Sequence, residues 1–367
     1  MHEPLLYQIA LTFLPGIGPV KAKNLLAYCG SAEAVFNEKA SVLQRIPEIG
    51  NSTSDTIMGL KNEVLLRAES ELDFIIKNNI RPLFYTDKDY PQRLKDCDDG
   101  PLMLYAKGNM NLNHPRIISI VGTRNATGYG KGFCEKLIED LQPYAPLIIS
   151  GLAYGIDICA HRCAMKCSLP TVGVLAHGLD VLYPNLHLSA AQAMEQNGGL
   201  LTEFASRTKM APELFPMRNR IVAGISDCTI VIESDIKGGS LITAHQASSY
   251  GREVFALPGR YSDKLSAGCH NLIRKNIAAI ITSAQDLVEY MNWDTERQPK
   301  TQQLSLLQSH TEEESRVLKI LQDKGKLHVD QLSDYTGFTH SKLSGILLNL
   351  EFSGVVKSLP GKIFELE

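Results

Sequence analysis

Short apolar runs alternate with longer helical stretches through the middle of the chain. The runs cover residues 116–121, 147–149, 171–175, 200–202, 229–232, 254–257 and 278–281. They are rich in Ile, Val and Leu without polar alternation, the pattern of strands buried on both faces. The segments 129–141, 156–167, 186–197, 217–225 and 241–250 between them read as helices. Strand–helix alternation predicts an α/β body over 80–290, with a doubly wound, mostly parallel sheet and right-handed crossovers. Ligands of such sheets bind outside the carboxyl ends of the strands. Residues 1–75 read as helical throughout. A polar stretch at 291–310 reads as a linker, and 311–367 as a third, smaller domain.

The two flanking regions carry patterns of their own. Residues 14–26 (LPGIGPVKAKNLL) and 46–57 (IPEIGNSTSDTI) are near-repeats of an apolar residue, Pro, Ile-Gly and a helix start. The pattern resembles the helix-hairpin-helix motif, whose glycine turn aims backbone N–H groups at a phosphate. Glu48 replaces the first glycine in the second copy, which weakens a phosphate contact there. Residues 1–75 hold six basic and nine acidic side chains, so packing or protein contact is the stronger expectation for this region. At the other end, helices are expected over 312–322, 328–335 and 339–352, with a turn at Gly337 and a hairpin around Pro360 and Gly361. That order is the winged-helix pattern. Its last helix has one lysine and no arginine, which favours protein contact or autoregulation over major-groove reading.

Composition narrows the partners. The chain has 367 residues, 44% of them hydrophobic, with 37 Lys and Arg against 40 Asp and Glu, a net charge of −3. A nucleic-acid partner therefore requires local positive charge. No run reaches the roughly 18 apolar residues of a membrane span, and no basic-then-apolar leader opens the sequence, so the cytoplasm is the expected compartment. The eight cysteines include no CxxC pair. Cys159, Cys163 and Cys167 stand four apart, a helical stripe about 12 Å long that cannot converge on one zinc. They are expected on a buried helix face.

Candidate chemistry gathers where the strands end. The first turn, 121–130 (VGTRNATGYG), offers Gly122, Thr123 and Arg124 for a phosphate at a helix start. The second, 150–157 (SGLAYGID), offers Gly151 and Tyr154, the latter for stacking on a base or for packing. Asp157 and His161 lie four apart on one helix face, as a structural hydrogen bond or a catalytic pair. Arg218, Asn219 and Arg220 are hard to place in a core, since arginine is seldom buried unpaired. Lys237, Gly238, Gly239 and Ser240 at another helix start make an anion cradle. Segments 207–220 and 260–275 each carry four basic residues and one acidic. GxGxxG and GxxxxGK[ST] are both missing, and Ser150-Gly151 stands where a ribose-binding acid would end the second strand. Neither a metal cluster nor a nucleophile with its base is evident. A positive, glycine-lined groove of this kind suits binding of phosphate backbones better than chemistry.

As an ordered set, 121–130, ISGLAYGIDICAH (149–161), LAHGLDVLYP (175–184), FPMRNRIVAG (215–224), KGGSLITA (237–244), LPG (257–259) and GCHNLI (268–273) resemble the DprA/Smf family of DNA-processing proteins. The resemblance covers 116–282, and the flanking regions agree with long members. It implies an extended Rossmann fold that binds single-stranded DNA, loads the RecA recombinase onto it in natural transformation, and dimerises through the Rossmann domain. It implies no enzymatic activity, no cofactor and no membrane. Carried over by position, it marks Gly122, Thr123, Arg124, Lys237, Gly238, Gly239 and Ser240 as phosphate contacts and 218–220 as the family's Arg-Asn-Arg motif. Gly239 stands where members often have Ser, and Asn276 where they often have Gly. Two alternatives remain on such a fold. One is a LOG-type phosphoribohydrolase, whose PGGxGTxxE glutamate is missing from 237–244, and the other is a nucleotide sensor.

Overall fold

The computed structural model describes residues 3–293, 311–352, 355–359 and 361–366. Most of the expected linker, and Pro360 of the expected hairpin, lie outside the described residues. The described residues up to Trp293 form one compact unit and those from Thr311 onward a second.

The first unit opens with α1 (Glu3–Thr12), α2 (Pro19–Cys29), α3 (Ala32–Asn37), α4 (Ala40–Leu43) and the 27-residue α5 (Asn51–Lys77). The two near-repeats are the turns into α2 and α5. Gly18 and Gly50 are their extended N-caps, and Gly16 and Glu48 both take positive φ, 75° and 65°. Glu48 thus repeats the glycine's conformation at a cost of roughly 1–2 kcal/mol. This helical layer shares its core with the sheet: Ile9, Leu25, Phe36 and Ile57 belong to one apolar cluster with Phe84, Met103 and Tyr105. Glu71 of α5, 1% exposed, accepts hydrogen bonds from the Ser206 amide (2.9 Å) and hydroxyl (2.6 Å) and pairs with Arg67 at 3.1 Å.

The sheet follows. Its edge is an antiparallel pair, β1 (Arg81–Phe84) and β2 (Met103–Lys107), joined through α6 (Gln92–Lys95). The apolar-run pattern did not predict these strands. Then come β3 (Ile117–Gly122), α7 (Gly128–Leu141), β4 (Leu147–Ser150), α8 (Ile156–Lys166), β5 (Thr171–Val174), α9 (Leu188–Met194), β6 (Gly198–Thr202) and α10 (Leu214–Gly224). The body ends with β7 (Cys228–Ile232), α11 (Ser240–Ser249), β8 (Glu253–Ala256), α12 (Ala267–Arg274), β9 (Ala279–Ile280) and α13 (Ala284–Tyr290). The helix expected over 186–197 is confined to α9, and α12 and α13 were not anticipated.

Strand order is β1-β2-β6-β5-β4-β3-β7-β8-β9, parallel from β6 to β9. The chain starts the parallel part at β3, builds outward through β4 and β5 to β6, and returns to β7 on the other side of β3. The β3–β7 boundary is therefore the topological switch point. Along β3, Ile117 and Val121 enter the core under α10 and α11, while Ile118 and Ile120 enter the one under α7 and α8. Burial on both faces explains the near-continuous apolar runs. Trp293, expected in the linker, is 7% exposed in the body, its ring 6.2 Å from that of Tyr144 and under the Arg116 guanidinium.

The second unit is α14 (Glu312–Lys324), β10 (Leu327–His328), α15 (Val329–Thr336), α16 (His340–Phe352), β11 (Val356–Leu359) and β12 (Ile363–Leu366). Its three strands run in the order β10-β12-β11, the wing of a winged helix. A capping box at Thr311 starts α14, and Gly337 at φ 68° ends α15. Lys342, the lysine of α16, is held by Glu313 of α14 at 2.5 Å.

Candidate nucleic-acid interface

A concave groove of about 340 Å³ opens at the switch point. Its walls are the turns that leave β3, β4 and β7, together with the start of α10. Of the residues marked in the sequence, it brings together Gly122, Thr123, Arg124, Gly151, Arg218, Asn219, Gly238, Gly239 and Ser240. Asp157, Phe215 and Asp235 also line it. Lys237 is exposed on the turn outside the lining, and Tyr154 lines the adjoining cleft instead.

The first turn is built around Glu233, a buried residue at positive φ (56°) just past β7. Its carbonyl accepts from the Thr123 amide at 2.9 Å, and its carboxylate accepts from the Thr127 amide at 2.9 Å and from the Thr127 hydroxyl. Sequence reading missed Glu233, whose role needs the β3–β7 pairing to be seen. Two glycines serve packing as well as the groove. A Cβ on Gly122 would lie 2.1 Å from the Ile232 carbonyl oxygen, and one on Gly151 would lie 2.5 Å from Asp157 Oδ2 and 2.7 Å from the Arg218 guanidinium. Gly239 differs, because its missing Cβ faces open space. It is the N-cap of α11, which has no side-chain cap; the Leu241 and Ile242 amides turn back onto the Gly238 and Gly239 carbonyls, and the positive end of the helix dipole meets the groove at Gly239 and Ser240.

Three arginines divide the electrostatics. Arg124 is exposed, with its guanidinium 5.6 Å from the centre of the Phe215 ring. Arg218 is 6% exposed; it donates to the Val174 carbonyl and, at 3.1 Å, to Asn219 Oδ1. Burial holds the Asp157 carboxyl above its ordinary value, with Arg218 opposing that shift. Burial likewise lowers Arg218, and Asp157 raises it. The two charges form the groove's floor and compensate each other.

Arg220 corrects the sequence expectation. It points away from the groove, paired with Glu203 and donating to the Asp99 carbonyl, and is 9% exposed. Two residues along α10 reverse the side-chain direction. Both helix arginines are thus buried but partnered, which the sequence argument did not foresee. The expected Asp157–His161 hydrogen bond is also replaced. The Nε2 of His161 lies 2.6 Å from the Gly151 carbonyl and its Nδ1 2.7 Å from the Thr171 hydroxyl. Burial drops this imidazole to about 4. The neutral His161 is fixed by these two contacts, and Asp157 accepts from the Ala153 amide at 3.3 Å, so both serve the turn after β4.

The cysteine stripe is split. Cys163 and Cys167 are buried as expected, while Cys159 is half-buried and lines the cleft beside the groove.

Three family models match the chain: DNA recombination-mediator protein A over 81–292, a DprA winged helix domain over 298–362, and a SAM-like helix-hairpin-helix tandem over 9–58. The DNA processing protein DprA of Bacillus subtilis is 42% identical over 279 residues, 74% of this chain and 92% of that protein. Protein Smf of Escherichia coli is 31% identical over 297 residues, 80% of this chain and 79% of that one. The X-ray structure of DprA from Streptococcus pneumoniae superposes with a TM-score of 0.64 at 30% identity, covering 77% of this chain and 97% of that chain. DNA processing protein A from Helicobacter pylori, whose structure is described as giving insight into a unique single-stranded DNA binding mode, superposes at 0.53 and 30% identity. It covers 59% of this chain and 96% of that one.

Proposed function

This chain belongs to the DNA recombination-mediator protein A family, also called DprA or Smf, and on that premise we propose that it binds single-stranded DNA in the switch-point groove and loads a RecA-type recombinase onto the strand. The observation that carries this reading is the pairing of Arg124, exposed over Phe215, with the uncapped start of α11 across a glycine-lined groove. Arg124 offers a planar fork for phosphate oxygens, and the amides at Gly239 and Ser240 offer a second anion contact. Lys237, exposed on the same turn, adds long-range attraction. The contacts assigned here, Arg124 and the Gly239 and Ser240 amides, go to phosphates, so the binding is backbone-directed and tolerant of sequence.

No catalytic step is assigned: His161 is held by the Gly151 carbonyl and the Thr171 hydroxyl, and Asp235 is engaged by Lys264 at 3.4 Å and by the Ile236 amide. A second copy of this chain, joined through the sheet body, is the expected oligomeric partner, and sedimentation tests it.

Fluorescence anisotropy of a labelled oligo-dT against a matching duplex, at two salt concentrations, tests the central claim. Preference for the single strand that weakens with salt supports it. Equal or absent binding overturns it and points to a smaller ligand.

A further inference from the structure

Beside the groove lies a second concavity, about 520 Å³, walled by α7 and α8. Its lining holds four cations, Arg124, Lys131, Arg162 and Lys166, against the single carboxylate of Glu135. This is an uneven balance for a chain of net charge −3. Arg162 and Lys166 stand one turn apart on α8, about 6 Å along the axis. Lys131, Arg162 and Lys166 are all exposed. Lys166 also reaches Glu139 at 3.1 Å, an exposed pair of the kind worth little in water. Arg124 lines both the groove and this cleft, so the two are continuous through one side chain. Tyr154, exposed, stands on the same shared rim, its ring edge-on to His187 at 5.1 Å.

We propose that the α7–α8 cleft is a second phosphate-binding segment, carrying the backbone of a single strand onward from the switch-point groove, with Arg124 as the bend and Lys131 and Arg162 as the next contacts. This inference rests on the groove reading above. It adds a length requirement: a short oligonucleotide fills the groove alone, and a longer one engages both segments.

Cys159 reports on the cleft from inside it. The thiol is half-buried among these cations. A hydrogen bond from the Cys134 thiol lowers it from its ordinary value, which favours the reactive thiolate. Cys29 of α2, also half-buried but in the helical layer, is the internal reference.

The test uses the full chain with oligo-dT from roughly 4 to 16 nucleotides. Alkylation by N-ethylmaleimide is read peptide by peptide in a mass spectrometer, beside the affinity at each length. Short oligonucleotides are expected to bind and leave Cys159 reactive. Longer ones are expected to bind more tightly and to slow Cys159 at least severalfold while Cys29 is unchanged. In Lys131→Ala/Arg162→Ala the longer oligonucleotides should bind about tenfold more weakly, with the salt slope reduced by about 1.4. Short-oligonucleotide affinity stays as it was. If long oligonucleotides bind tightly while Cys159 reacts at its free rate, or the double variant matches the parent at every length, the cleft proposal is overturned and the groove reading stands. If no length binds, both are overturned.

Discussion

Helix α10 carries Arg218 and Arg220 into two regions of opposite character. On the groove side, Arg218 and Asp157 compensate each other below a concave surface, and Arg124 stands exposed above them with the uncapped start of α11. On the far side, Arg220 closes a network. It pairs with Glu203 and reaches the Asp99 carbonyl, while the Tyr250 hydroxyl donates to the Asp99 carboxylate at 2.8 Å and Lys23 donates to the Cys97 and Asp98 carbonyls. The two arginines mark what separates a framework charge from a binding one. A charge whose partners all lie within the chain holds the fold together, whereas a charge left facing a glycine-lined hollow is available to a ligand.

The largest effect should come from the far side. Arg220→Ala leaves the largely buried Glu203 side chain, 12% exposed, without its partner, where burial already raises its carboxyl. Removing one partner of such a pair costs about 3–5 kcal/mol. Denaturant unfolding should show that loss, and the folded fraction should still bind oligo-dT with parental affinity. Loss of affinity without loss of stability would erase the distinction between the two regions.

Next is a pH effect at the groove floor. His161 has a folded pKa of about 4, below the ordinary value of about 6.5. The unfolded chain therefore binds the proton first as pH falls. The stability from keeping His161 neutral is complete above about 6.5, declines between 6.5 and 4, and is lost below. The contribution is about 3 kcal/mol. The melting temperature should fall across that window, and His161→Gln should be less stable at neutral pH yet show a flatter profile. An unchanged slope in the variant would remove His161 from the floor's energetics.

What the sequence made legible follows from the same physics. Strands buried on both faces leave nearly continuous apolar runs such as 117–121, interrupted by Ser119 alone, so the parallel sheet and its loops could be placed. The edge strands could not: β1 begins Arg81-Pro82, and β2 lies against the helical layer, where Met103 and Tyr105 fill a core that local periodicity does not reveal. The groove residues at 122–124, 151 and 238–240 were legible because a turn after a strand fixes their place. The arginines of α10 were legible as a motif but not as roles, since Val174 and Asp99 are 44 and 121 residues away in sequence from the side chains they receive. Phe215 went unmarked because only the fold places its ring under Arg124.

Arg124→Ala sharpens the groove side directly. Losing one charged hydrogen bond to a phosphate should weaken oligo-dT binding by about 1.5–3 kcal/mol, roughly ten- to 150-fold. Because Arg124 is exposed, the unfolding midpoint should not move. Parental affinity in this variant would transfer the binding role to another surface.

The smallest effect is at Lys23, and it tests whether the hairpin turns are read correctly. Lys23 lies in α2 just past the first glycine turn, where a phosphate contact would be sought. Its ammonium donates instead to the Cys97 and Asp98 carbonyls at 3.3 and 3.2 Å, and partial burial lowers its pKa despite nearby Asp98 and Asp99. It therefore belongs with the Arg220 network, tying the helical layer to the loop that Arg220 also holds. Lys23→Ala should cost about 1 kcal/mol of stability and leave both the oligo-dT affinity and its salt slope at parental values. A slope reduced by about 0.7, the value of one single-strand phosphate contact, would instead place the first hairpin on the DNA and extend the binding surface beyond the groove.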